Sequence, residues 1–374
     1  MQKIPLSIYI HIPFCRIKCN YCDFLSVCGA DDLMNPYTDA LCRHIAARAG
    51  NFNDYELVSV FFGGGTPTVL PVQSLIKILD CMRDNFNINE RVSITSEANP
   101  ETVDEEYLKA MRLAGFNRIS FGVQSFEDKL LTPIGRIHSA DRAAKAVKWA
   151  KKTGFDDISI DLIFALPYQT TKDFEQSLDT AIALPITHIS CYALTVEDGT
   201  ALALDNKLLG AIPDESADRL MYYMAVKKLQ TAGFEHYEIS NWAKPGYICR
   251  HNLGYWTGRQ YAGFGIGAHS FVDNVRYTCT DNLREYINGQ HESIILENVN
   301  TANAMSEFVI LGLRLICGIN ITEFRSRFGQ DIFKVFGSRI EKFISQGLLS
   351  VDKDCISLTK TGLDLSNVVF SDFL

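Results

Sequence analysis

No segment of the chain is long and apolar enough to cross a bilayer, which takes about 20 mostly apolar residues, so no transmembrane segment is expected. No apolar signal core follows Met1-Gln2-Lys3-Ile4-Pro5 either; this start runs straight into a strand-like segment, and the expected location is the cytoplasm. Polybasic runs are missing too. With a formal net charge of −8 and a pI of about 5.5, nothing pulls the chain toward nucleic acid or an anionic membrane from a distance. There is no even set of cysteines for a disulfide framework. The count of 11 is odd, and in a chain of this size it fits reduced thiols and a metal site. Eight of the cysteines, Cys28 among them, are scattered singly.

The other three stand together in His11-Ile12-Pro13-Phe14-Cys15-Arg16-Ile17-Lys18-Cys19-Asn20-Tyr21-Cys22, a C-x3-C-x2-C motif. A [4Fe–4S] cubane needs four ligands, usually all thiolates, so Cys15, Cys19 and Cys22 would leave one iron open. An open iron can bind a small molecule through that molecule's own donor atoms, which points to a reactive cluster more than to electron transfer. Structural zinc is the competing reading. It favours paired C-x2-4-C motifs and a closed tetrahedron, and no fourth Cys follows here at a matching distance. His11 could complete such a site, but its apolar, strand-like surroundings place it beneath the loop.

With 374 residues, 47% of them hydrophobic, the chain can bury a sizeable core in two or three domains. Gly-Phe recurs at 115–116, 154–155 and 233–234, each time where a helical pattern gives way to a strand pattern. Glycine takes the left-handed conformation at a helix C-terminus without a Cβ penalty, so each copy reads as a helix stop. The spacings of 39 and 79 residues suit one and two strand-loop-helix-loop units. Thr102-Val103-Asp104-Glu105 resembles a capping box opening one such helix. Other helical patterns occupy about 36–49, 73–85, 139–153, 172–183 and 214–232, and the strand candidates are 7–12, 57–62, 92–97, 118–123, 158–164 and 188–194. Six βα units imply an α/β fold with a parallel barrel, complete or open, whose chemistry sits at the C-terminal strand ends. The Cys loop, Gly63-Gly64-Gly65-Thr66-Pro67-Thr68, Glu97 and Gln124 all fall at such ends, and Asp161 lies within the fifth strand.

These motifs, with Tyr9-Ile-His-Ile-Pro-Phe-Cys15, Gln124-Ser125-Phe126 and Asp161-Leu-Ile-Phe-Ala-Leu-Pro167, resemble the radical S-adenosylmethionine (SAM) proteins over nearly the whole chain. Within them, the resemblance is to the branch of oxygen-independent coproporphyrinogen III oxidases and HemW-type haem chaperones. It implies a partial (β/α)6 radical SAM barrel with a [4Fe–4S] cluster, SAM chelating the open iron, and reductive cleavage to methionine and a 5′-deoxyadenosyl radical. It also implies an electron donor such as flavodoxin or ferredoxin. Gly64, Gly65 and Thr66 would offer backbone donors and close approach. Glu97, Gln124, Arg136 and Asp161 match positions that hold SAM, and Tyr9, Tyr21 and Ala193 would line the same pocket.

Two departures separate the chain from the oxidases: Phe24 stands where those carry a fourth Cys, and their N-terminal extension has no counterpart before Tyr9. In its place stands His251-Asn252-Leu253-Gly254-Tyr255-Trp256, which resembles the H-N-x-x-Y-W motif of the chaperones and implies haem binding through His251, Asn252, Tyr255 and Trp256. Haem or a porphyrin would then be cargo, and apo-haemoproteins the clients. Gly263-Phe264-Gly265-Ile266-Gly267-Ala268 fits G-x-G-x-x-A, but with no clear strand before it and no amphipathic helix after it, a dinucleotide site is rejected; the loop is expected to bring backbone close to the cofactor pocket. The expected domains are the barrel over 1–240, an extension over 241–302 and a mainly helical, winged-helix-like domain over 303–374. That last segment holds eight Lys or Arg against eight Asp or Glu, so it lacks the basic footprint of duplex binding. The resulting reading is a haem chaperone; the alternatives are the oxidase, an oxidoreductase, and a regulatory DNA- or protein-binding module.

Overall fold

The computed structural model describes residues 3–374. Six strands run in parallel in chain order: β1 (Ile4–Ile12), β2 (Tyr55–Gly64), β3 (Ser93–Ala98), β4 (Arg118–Gln124), β5 (Asp157–Phe164) and β6 (His188–Ala193). Side chains alternate across a strand. In β1 this sends Leu6, Ile8, Ile10 and Ile12, all fully buried, to the helix-covered outer face, and Ser7, Tyr9 and His11 to the inner one. The crossover helices are α1 (Met34–Arg48), α2 (Val72–Asn85), α3 (Glu105–Ala114), α4 (Ala140–Lys152) and α5 (Thr171–Ala183), with α6 (Glu215–Thr231) after β6. All three glycines of the Gly-Phe stops have positive φ, at 101°, 96° and 84°. The cap of α3 differs from expectation. Its N-cap is Asp104, whose carboxylate accepts from Tyr107 N at 2.8 Å, because a short 3-10 turn over Pro100–Thr102 intervenes and turns the Thr102 hydroxyl back to Asn99 O.

The barrel does not close. β1 takes as its second neighbour the parallel strand β9 (Gln260–Phe264), and beyond it run the antiparallel strands β10 (Ser270–Val272), β11 (Val275–Thr278) and β12 (Ile294–Asn298). β6 is covered by the antiparallel β8 (Asn241–Ala243) and then β7 (Glu235–Glu238). The chain after 240 therefore extends the same sheet at both edges. Between β8 and β9 a short helix, α7 (Arg250–Trp256), carries the H-N-x-x-Y-W motif.

A second apolar core, with Phe324, Ile332, Phe336, Ile340 and Phe373, lies in the C-terminal segment. Its elements run α8 (Thr301–Gly312), β13 (Ile319–Asn320), α9 (Ile321–Phe328), α10 (Ile332–Ser345), β14 (Leu349–Asp352) and β15 (Cys355–Leu358), the order of a winged helix, in a mostly helical domain. It is tied to the barrel by Arg276, bidentate to Glu307 at 2.7 and 2.8 Å, and by Arg314 stacked 4.3 Å over Trp256. Among the described residues no helix is long and apolar enough to cross a membrane.

Candidate functional site

At the C-terminal ends of the parallel strands lies a cavity of about 440 Å3, the mouth of the barrel. Cys15, Cys19 and Cys22 line one side; Gly64, Gly65, Thr66, Glu97, Gln124, Arg136, Asp161, Tyr21 and Ala193 line the rest, as expected from the sequence. Among the described residues no three His, Cys, Asp or Glu side chains converge to hold a single ion. Cubane thiolates bind different irons and need not converge on one point. Burial pushes the Cys15 and Cys22 thiols up, a cost that ligation by iron would offset.

The Cys loop is clamped from three sides. Asn20 donates from its side chain to Pro133 O at 2.9 Å and from its backbone to Ile134 O at 3.0 Å, and its carbonyl accepts from Leu202 N at 2.7 Å. This clamp was not read from the sequence, where Asn20 is one short polar residue between two cysteines. The glycine run supplies the second side. Gly65 N and Thr66 N donate to Ile12 O and Phe14 O, both at 2.8 Å, so these two donors, expected to meet a ligand, are already committed to holding the loop. Gly64 has φ 110°, and a Cβ there would lie 2.5 Å from the His11 ring, so only glycine fits. His11 is buried beneath the loop, with Nε2 2.9 Å from Leu25 O. The second glycine loop forms the third side. A Cβ on Gly265 would lie 2.7 Å from His11 O and 2.6 Å from Tyr37 Oη, so this loop packs behind the Cys loop and not against the cofactor pocket as expected. A strand does lead into it, β9, but the chain then turns into β10, so no dinucleotide-binding helix follows.

Across the mouth, Glu97 and Asp161 are buried carboxylates that repel each other. Burial first, then Asp161, pushes Glu97 up to about 8 against a hydrogen bond from Gly64 N; burial also raises Asp161. Two buried carboxylates beside a cavity suit a ligand carrying positive charge, as SAM does in its ammonium and sulfonium groups. Arg136 reaches Cys19 Sγ at 3.4 Å with Nη1 and donates to Gly122 O with Nη2, while its buried Nε has no partner. Gln124 sits at φ 65°, in the left-handed region, beside a register shift that ends β4. Such a non-glycine conformation costs about 1 kcal/mol or more and collects at functional sites.

Below the mouth lies a smaller cavity of about 140 Å3, floored by α7 and lined by Tyr9, Arg118, His188, His251, Asn252 and Tyr255, among others. Tyr9, expected with the SAM residues, belongs here, its Oη 3.1 Å from His11 Nδ1. The motif residues are not arranged as a haem surface. His251 is buried, with Nδ1 3.0 Å from Ser59 Oγ and Nε2 3.0 Å from Tyr255 Oη, and its ring stacks on Phe61 at 4.8 Å. Burial lowers its pKa to about 3. Trp256 points away, beneath Arg314. With both ring nitrogens engaged and no room for a macrocycle, His251 can ligate iron only if α7 opens. Arg118 was also missed by sequence reasoning. It is fully buried, its Nε 3.4 Å from Asp157. A charged residue opening a strand with Ile119, Phe121 and Val123 in alternation was the available signal.

Comparison with known proteins follows the same lines. A family model for the radical SAM superfamily matches residues 9–181, and one for the HemN C-terminal domain matches 299–365. Heme chaperone HemW of Bacillus subtilis (strain 168) is 36% identical, covering 98% of this chain and 99% of the relative. Heme chaperone HemW of Escherichia coli (strain K12) is 34% identical, with 100% of each covered. The solved structure of coproporphyrinogen III oxidase (HemN) from Escherichia coli superposes with a TM-score of 0.87, covering 100% of this chain and 91% of that one; at 22% identity it shows the shared fold alone. Radical SAM membership implies SAM and a [4Fe–4S] cluster. The chain belongs to the HemW family of radical SAM proteins.

Proposed function

We propose that this chain is a haem chaperone, holding a [4Fe–4S] cluster on Cys15, Cys19 and Cys22, taking SAM into the barrel mouth and passing haem to apo-haemoproteins in the cytoplasm. One observation carries the reading: three thiols face two buried, mutually repelling carboxylates across a single cavity, in a chain aligned end to end with relatives named as haem chaperones. When bound, the cluster with SAM supplies one-electron chemistry, for which a flavodoxin or ferredoxin is the proposed donor. The protein's own groups hold the ligand. Glu97 and Asp161 balance its positive charge, Arg136 pairs with its carboxylate, and Gln124, Tyr21 and Ala193 shape the wall. Haem is cargo, and His251 is proposed as an axial ligand that becomes free once Tyr255 releases Nε2 and α7 moves. Anaerobically reconstituted protein should bind haem and transfer it to an apo-haemoprotein, and His251→Ala should shift the Soret band. An unchanged spectrum in that variant would send the search for the ligand elsewhere, and no haem binding by the wild type would end the reading.

A further inference from the structure

Cys28 reads in the sequence as an isolated thiol, yet the fold returns it to the cluster motif. Phe14–Cys15 pairs in parallel with Val27–Cys28, in the register Phe14 to Val27 and Cys15 to Cys28, anchored by Val27 N donating to Pro13 O at 2.7 Å. Partners in register on adjacent strands point to the same face, about 4.7–4.9 Å apart, inside the Cα separation of roughly 4.4–6.8 Å that a disulfide spans. Phe14 points into the core, so Cys15 and Cys28 project outward on the other face; Cys28 is exposed.

We propose that Cys28 is a resolving thiol for Cys15, forming a reversible Cys15–Cys28 disulfide in the cluster-free protein. The oxidant is a peroxide. One thiolate attacks a peroxide oxygen, breaking the O–O bond to give a sulfenic acid and hydroxide. The second thiolate then displaces hydroxide from that sulfur, and two protons complete two molecules of water; two thiols are oxidised and one hydrogen peroxide is reduced. The disulfide blocks the cluster site while sparing Cys15 from irreversible oxidation to a sulfinic acid, and a dithiol reductant reopens it. Neither Cys19 nor Cys22 offers Cys15 a partner in strand register.

The inference rests on the cluster assignment only for its consequence, and the test separates the two. Cluster-free, full-length protein is treated with hydrogen peroxide, trapped with N-ethylmaleimide and mapped by mass spectrometry without reduction. A parallel sample is reduced with dithiothreitol and reconstituted anaerobically. The Cys15–Cys28 peptide should be the main cross-linked product, and the wild type should regain its cluster EPR signal. Cys28→Ser should reconstitute normally before peroxide but recover several-fold less afterward, with Cys15 found as sulfinic acid. Cys15 joined chiefly to Cys19 or Cys22, or equal recovery in Cys28→Ser, would overturn the proposal. Failure of untreated wild type to reconstitute would instead refute the cluster assignment and leave the disulfide map to be judged on its own.

Discussion

The mouth and the floor of the barrel are built from the same six strands, yet their polar groups are treated in opposite ways. On the floor the histidines are fully paired: His188 meets Ser159 Oγ and Tyr237 Oη, both at 2.8 Å, and His251 meets Ser59 and Tyr255. At the mouth, Glu97 and Asp161 are buried together and their charges repel despite hydrogen bonds from Gly64 N and Ser120 Oγ, Arg136 Nε has no partner, and Gln124 is held in a left-handed conformation. Local rules are kept where the fold is being held together and broken where a ligand is to complete the site. Arg118, buried beside the floor with its Nε 3.4 Å from Asp157 but in no hydrogen bond, is an exception.

The sharpest break in this contrast comes from the thiols. Cys15→Ala, Cys19→Ala or Cys22→Ala should abolish the [4Fe–4S] signal in iron analysis and EPR, while Cys28→Ala reconstitutes normally; an intact cluster in Cys19→Ala would sink the assignment of the three cysteines as its ligands. Next in size are the wall residues. Glu97→Ala, Gln124→Ala and Asp161→Ala should each keep the cluster and weaken SAM binding by about 1.5–3 kcal/mol, roughly ten- to a hundredfold, by anaerobic calorimetry. The floor should respond differently. His251→Ala leaves the Tyr255 hydroxyl without a partner and takes one of two from Ser59, which keeps Ser7 Oγ at 3.0 Å, and should cost about 1–3 kcal/mol in denaturant unfolding, with SAM affinity unchanged; a loss of SAM affinity as large as that in Glu97→Ala would erase the distinction between floor and mouth.

The last effect is a pH dependence. With Glu97 raised to about 8 in the folded, ligand-free protein, the unfolded chain gives up this proton near the ordinary carboxylate value while the folded chain keeps it. The stabilisation from the neutral form is complete below the unfolded value and is lost as pH climbs toward 8. Cluster-free, SAM-free protein should therefore melt at a lower temperature at pH 8 than at pH 6, and Glu97→Gln should flatten that slope. SAM binding should release a proton near pH 7, read from calorimetry in buffers of differing ionisation enthalpy. Equal slopes in wild type and variant would mean that Glu97 is ionised before the ligand arrives.

Much of this was legible from residue pattern, because the period of two along β1 and the glycine stops at 115, 154 and 233 report local physics directly. So did the gathering of Cys15, Glu97, Gln124 and Asp161, since parallel strands present their ends together. What the pattern did not show shares a cause: it depends on which partner a group finds across the chain. Gly65 N and Thr66 N are spent on β1 and the Cys loop, Gly265 backs His11, and His251 is enclosed by Ser59, which lies 192 residues away. The partial barrel was expected, but the strands that extend its sheet past β1 were out of reach, because β9 gives no strong strand signal until it is seen beside β1.

The central claim is that a radical SAM mouth here serves haem handling and not porphyrinogen oxidation. It is tested most directly by giving one cluster-loaded, SAM-supplied preparation haem in one arm and coproporphyrinogen III in the other, with spectral titration and product mass spectrometry as the readouts. The account predicts saturable haem binding and no loss of carboxylate from the porphyrinogen. SAM-dependent loss of two carboxylates, or no haem binding, would contradict it.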